Sequence, residues 1–198
     1  VNVITEEIEG NFDYIIHAAA PAASETFAGM KGIEKFNSII AGANTIIKNC
    51  NKYRPRKLIF ISSGSVYGNV VGKISENNKI APMTLSSITG LAQGKRAAEY
   101  LLNAYCEETN IEFNILRCFS FSGYGIPLDL HYAIGNFVQN AMDNTDIIIT
   151  GSGKDLRSYL HLGDLAYLTV KILFQETEEI IYNIGGDKQY SIYEIATK

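Results

Sequence analysis

Three short runs rich in Ile, Phe and Leu constrain the fold most: FDYIIHAAA from Phe12, RKLIFISSGSVYG from Arg56 and FNILRCFSF from Phe113. Each reads as a strand, and each is separated from the next by a stretch with helical spacing. Between the first two, Ile33, Phe36, Ile39, Ile40, Ala43, Ile46 and Ile47 recur along one helical face. Between the second and third, a loop containing SENNKIAPM leads into a helix predicted from about Ser87 to Glu108. Strand, helix, strand, helix, strand in that order implies right-handed crossovers and a parallel α/β sheet.

Past Gly125 the rhythm loosens. HYAIGNFVQNAM is predicted to be helical, DIIIT (Asp146–Thr150) to be a short strand, and SGKDLRSYLHLGDLAYLTVKIL to pass from turn through strand into helix. EIIYNIGG reads as a further strand, and Ser191 with Glu194 forms a capping box that opens a last helix. The 198 residues suit one domain, or one large domain with a small second lobe. Both ends read as cut, with no G-x-G-x-x-G turn after an early strand.

Composition excludes several classes of function. The net charge is −4 with no basic stripe, which argues against nucleic-acid binding. No apolar run approaches the roughly 20 residues that span a bilayer, and no signal-peptide pattern opens the chain. The three cysteines, Cys50, Cys106 and Cys118, lack metal-ligand spacing, and no metal is expected. They read as reduced thiols of a cytoplasmic protein, with Cys50 and Cys106 buried in helices.

Ligands of parallel α/β sheets bind beyond the carboxyl ends of the strands, so the candidate residues are sought there. Ala18, Ala19 and Ala20 end the first strand; side chains this small admit a flat ligand or, equally, tight packing of a helix on the sheet. His17 reads as a satisfied core histidine. Ser62, Ser63 and Ser65 end the second strand. A serine there can hydrogen-bond a substrate or cap the turn, and capping is the expected role of Ser62 and Ser65 more than of Ser63. Lys95 sits near the start of its helix. It is either a solvated surface charge or an ammonium placed against a cofactor ribose, where it lowers the pKa of a neighbouring phenol.

DYIIHAAA, FISSGSVYG, GKRAAEYLL, LRCFSFSG, RSYLHLGDLA and YNIGG, in this order and spacing, resemble the extended short-chain dehydrogenase/reductase family. The likeness is closest to its NAD-dependent nucleotide-sugar epimerases and dehydratases of bacterial surface-polysaccharide pathways. It implies a Rossmann-like, doubly wound parallel sheet lacking its first strands. A partial NAD-binding domain would span residues 1–125 and a partial substrate-binding region residues 126–198. The resemblance places Ala18, Ala19, Ala20, Ser62 and Cys118 along NAD, and gives Lys95 the nicotinamide ribose. Ser63 would help to activate the sugar hydroxyl, and Phe119 would lie beside the nicotinamide. Ser65 and Ser120 would meet the nucleotide-sugar substrate, and Arg157 would grip its diphosphate with a planar fork suited to paired oxygens. Members of this family dimerise through the helices that begin here near Gly32 and Ser87, so a homodimer is expected.

The departures from the pattern are equally specific. Leu91 stands where the family carries its catalytic tyrosine, one helical turn before Lys95. Neither Tyr67 nor Tyr100 is in an equivalent place. Ile39 replaces an asparagine three residues before Gly42. Gly64 and Ser65 replace the acidic pair with which 4,6-dehydratases expel water, which disfavours that reaction. Three readings follow: an enzyme of this family impaired by Leu91, an inactive homologue or fragment acting only in binding or packing, or a reductase with another substrate.

Overall fold

The computed structural model describes residues 9–21, 29–70, 72–128, 132–149 and 151–198. Its contacts divide the chain into two compact units, Val1–Cys118 with Thr169–Asn183, and Phe119–Leu168 with Ile184–Lys198.

The first unit is built on a four-stranded sheet, in the order β1 (Tyr14–His17), β2 (Lys57–Ser63), β3 (Glu112–Cys118) and β7 (Ile181–Ile184). Strands β1, β2 and β3 run parallel, with His17 opposite Phe60 and Ser63 opposite Cys118. Helices α1 (Gly32–Tyr53) and α2 (Gly90–Thr109) are the two crossovers. They lay Ile39, Ala43, Ile46, Ala98, Leu102 and Cys106 against Leu58, Phe60, Phe113 and Ile115 of the sheet. That is the period-3.6 pattern of the helices meeting the period-2 pattern of the strands. Both helices stop on a left-handed residue, Arg54 at φ 49° and Asn110 at φ 54°. Pro55 after the first cannot extend it. The helix N-termini touch backbone to backbone: a Cβ on Gly32 would lie 1.9 Å from the Ser87 carbonyl oxygen, and one on Gly90 2.0 Å from that of Gly32. Only glycine permits this approach.

Several boundaries differ from the sequence-based expectation. β1 is shorter than predicted, and Ala18–Ala20 follow it without regular structure. The second predicted helix opens as a 3-10 turn, Ser87–Thr89, before α2 begins. The third predicted strand breaks at Phe119, because β4 (Ser120–Ser122) pairs with a different partner.

In the second unit β4 runs parallel to β6 (Tyr159–His161), and β5 (Leu156–Arg157) antiparallel to β8 (Tyr190–Ser191). Helix α3 (Ala133–Met142) matches the predicted stretch. The strand predicted at DIIIT is not formed over residues 146–149, and Thr150 lies outside the described residues. Ile148 is largely exposed there. Helix α4 (Leu162–Phe174) and strand β7 (Ile181–Ile184) follow. The short helix α5 (Ile192–Ala196) carries the expected capping box, Ser191 Oγ accepting from the Glu194 amide at 3.1 Å. No helix among the described residues is long and apolar enough to cross a membrane.

Candidate functional site

Strand alternation sorts the residues at the carboxyl ends of the sheet. Phe60, Ser62 and Arg117 turn toward α2, and the register sets Ser62 beside Arg117. There Glu99 gathers them. Ser62 Oγ donates to Glu99 Oε1 at 2.5 Å, while Arg117 donates from Nε at 3.1 Å and from Nη2 to Oε2 at 2.7 Å. Paired donation from the planar guanidinium satisfies a buried carboxylate that would otherwise be costly. The capping role expected of Ser62 therefore falls to its neighbour: Ser63 Oγ accepts the Ser65 amide at 3.2 Å and caps the 3-10 turn Gly64–Tyr67. Ser65 Oγ is buried in that turn with no partner among the described residues.

Lys95 is no surface charge; it is 4 % exposed. Its Nζ donates to the Ile61 carbonyl oxygen at 2.6 Å and lies 4.6 Å from the centre of the Phe60 ring. Burial lowers this ammonium to about 8, against the pull of Cys118 and Glu99. Burial likewise pushes the Cys118 thiol up to about 12, opposed by Lys95, so this residue remains a neutral thiol at pH 7. His17 is 2 % exposed and stacks on Phe60 with ring centres 5.4 Å apart. It is a core histidine, but not a satisfied one: its Nε2 has no partner among the described residues. Burial, then the Lys95 charge, hold its imidazole down to about 4 and thus neutral.

Leu91, one turn before Lys95, is half-buried and packed against the core of the first unit. Tyr67 is fully buried with its hydroxyl on Asn183 Oδ1 at 2.8 Å, and Tyr100 is 77 % exposed. At the end of β1, Ala18 and Ala20 are exposed and Ala19 half-buried. Cys50 and Cys106 are buried free thiols, as predicted.

The second unit holds a cavity of about 740 Å³ whose lining includes Phe119, Ser120, Tyr132, Asn136, Arg157 and Tyr159. Arg157 is exposed, held by one bond from Nη1 to the Leu156 carbonyl oxygen at 2.8 Å. Burial raises the Tyr159 phenol, partly offset by Arg157. Ser120 and Arg157, picked from sequence, thus share one cavity, while Ser62, Ser63, Lys95 and Cys118 share the strand ends of the first unit. Reading the sequence missed Glu99, although it lies one turn beyond Lys95 on the buried face of α2. It also missed Tyr132, Asn136 and Tyr159 in the cavity wall, although Tyr159 stands two residues after Arg157 within RSYLHLGDLA. Among the described residues no group of three or more His, Cys, Asp or Glu is placed to hold a metal ion.

Similarity to known proteins agrees with this architecture. Residues 2–185 match the model of the NAD dependent epimerase/dehydratase family. The whole chain is 25% identical to 48% of a dTDP-D-glucose 4,6-dehydratase of Dictyostelium discoideum. It is 28% identical, over 96% of its length, to 59% of a UDP-N-acetyl-alpha-D-glucosaminuronate decarboxylase of Bacillus cytotoxicus. The chain thus spans about half the length of these curated relatives. Among solved structures, UDP-glucuronic acid 4-epimerase of Bacillus cereus, in complex with UDP-glucuronic acid and NAD, superposes with a TM-score of 0.75 at 27% identity, covering 92% of this chain and 56% of that one. The chain belongs to the NAD-dependent epimerase/dehydratase family.

Proposed function

We propose that this chain belongs to an NAD-dependent nucleotide-sugar epimerase/dehydratase-type enzyme of bacterial surface-polysaccharide synthesis, impaired by Leu91 at the catalytic tyrosine position. The observation that carries the reading is the placement of Lys95, an ammonium held at the carboxyl end of β2 on the buried face of α2. The residues present fit the cofactor's nicotinamide half. Ala18 and Ala20 leave the end of β1 open to a flat ligand, and Lys95 spends one of its three N–H donors on Ile61. When bound, NAD supplies a hydride acceptor for the carbon bearing a sugar hydroxyl.

The chain's own groups would then divide the work. Ser63 accepts the Ser65 amide, and its O–H remains as a donor to the sugar hydroxyl. Lys95 supplies positive charge at the ribose. Cys118, a neutral thiol, packs rather than reacts. In the second unit Ser120 and Arg157 hold the substrate, the guanidinium binding the nucleotide diphosphate. Leu91 can take no proton, and the absence of one acid/base group costs a factor of about 10² to 10⁴. Gly64 and Ser65 offer no acid to expel water, so 4,6-dehydration is disfavoured among the family's reactions. We place the protein in the cytoplasm as a homodimer joined through α1 and α2, the latter exposing Tyr100.

A second reading, a homologue that binds or packs without turnover, is favoured by the absorption of Leu91 into the core. Calorimetric titration of NAD into this chain and into Leu91→Tyr, followed by a nucleotide-sugar panel, separates the two. Binding in both with turnover only in Leu91→Tyr is the expected result. No binding of NAD at millimolar concentration by either would sink the enzyme reading.

A further inference from the structure

Asn183, on β7, uses its side-chain amide in both directions. Its Oδ1 accepts the Tyr67 hydroxyl at 2.8 Å and its Nδ2 donates to the Ile74 carbonyl oxygen at 3.0 Å. Its backbone amide donates to Glu76 Oε1 at 2.9 Å. Leucine, of nearly the same size, could make neither side-chain bond, and aspartate only the first. Tyr67 closes the 3-10 turn Gly64–Tyr67, which Ser63 caps and which contains Ser65. The phenol is fully buried, so no water can replace Asn183 as its acceptor. Two further groups grip the same turn. The Arg117 guanidinium lies 4.7 Å from the Tyr67 ring centre, and Arg96 Nη1 donates to the Val66 carbonyl oxygen at 3.0 Å. Arg96 and Arg117 are thus anchored on α2 and β3, whereas Asn183 reaches the turn from β7, beyond β3 in the sheet order.

We propose that Asn183 is a positioning residue for the serine turn, holding Tyr67 from the far side of the sheet so that Ser63 and Ser65 keep a fixed place at the end of β2. The role follows from the bond pattern, since Asn183 ties the turn and the segment carrying Ile74 and Glu76 to one strand. Its functional meaning rests on the reading that Ser63 meets the sugar hydroxyl.

The turn contains its own reporters, the Ser65 amide on Ser63 Oγ and the Gly68 amide on the Ser65 carbonyl oxygen at 2.9 Å. Hydrogen exchange at these amides is compared in the native chain and in Asn183→Leu, Asn183→Asp, Tyr67→Phe and the Asn183→Leu/Tyr67→Phe pair. Asn183→Leu and Tyr67→Phe are each expected to speed exchange at Ser65 and Gly68 roughly tenfold, the worth of one buried hydrogen bond. The double variant should add nothing further. Asn183→Asp, which keeps the acceptor for Tyr67, should restore most of the protection. Unchanged exchange at Ser65 and Gly68 in Asn183→Leu, or an equal rise at Leu102 and Cys106 of α2, overturns the proposal. Titration of UDP-glucuronic acid into the same proteins tests the separate reading. The expected exchange pattern without binding by any of them upholds the positioning role and removes its connection to a sugar.

Discussion

The strand ends of the first unit and the cavity of the second treat charge in opposite ways. At the strand ends the charged side chains are committed to the protein itself, Lys95 to a backbone carbonyl and Arg117 to Glu99. In the cavity, Arg157 stays exposed on a two-residue strand, with one bond to its own neighbour's carbonyl. Burial explains the contrast. A charge out of water must be paired or neutralised, so a buried cluster becomes part of the fold, whereas an exposed arginine keeps its donors for a ligand. Substitutions in the Glu99–Arg117 cluster should therefore be felt as stability, and that of Arg157 as binding.

The sharpest way to break that contrast is Glu99→Leu. It strands the Arg117 guanidinium and the Ser62 hydroxyl in the interior, and a loss of about 3–5 kcal/mol is expected from urea unfolding. A loss under about 1 kcal/mol would mean that the cluster is not integral to the fold.

His17 sharpens the comparison through pH. Its folded value, about 4, lies below the ordinary 6.5, so between these the unfolded chain binds the extra proton. Its contribution is fully present above pH 6.5 and is lost as pH falls toward 4, about 3 kcal/mol in all. His17→Leu should flatten that limb relative to the native chain in unfolding curves taken from pH 4 to 7. Parallel curves for the two proteins would show that the imidazole does not titrate as its burial demands.

Arg157→Ala gives the smallest stability effect, within about 0.5 kcal/mol, because the side chain is exposed and its bond is local. The same substitution should weaken nucleotide-sugar binding at least roughly tenfold, as loss of a charge-assisted contact does. A clear drop in melting temperature with unchanged binding would reverse the distinction between the two regions.

Much of this molecule can be read along the chain. The spacing from Ile33 to Ile47 marks α1, the continuous LIFIS marks a strand buried on both faces, and Ser191 with Glu194 marks the last helix. These are local signals, set by side-chain periodicity and by hydrogen bonds within a few residues. Where pairing depends on a distant partner, the reading failed. FNILRCFSF looks like one strand, yet it splits at Phe119 because its two halves join different sheets. DIIIT has the composition of a strand, yet no strand forms over residues 146–149.

The sequence by itself determined the alternating α/β plan and the family, since each is carried by residue type and order. Only the tertiary structure decided what the polar groups do. Ser62 turned out to serve Glu99 while Ser63 caps the turn, and Lys95 is buried against Ile61 and Phe60. Asn183 reaches Tyr67 across 116 positions of chain. A side chain's partner is set by which strands lie side by side, and residue spacing along one strand cannot encode that.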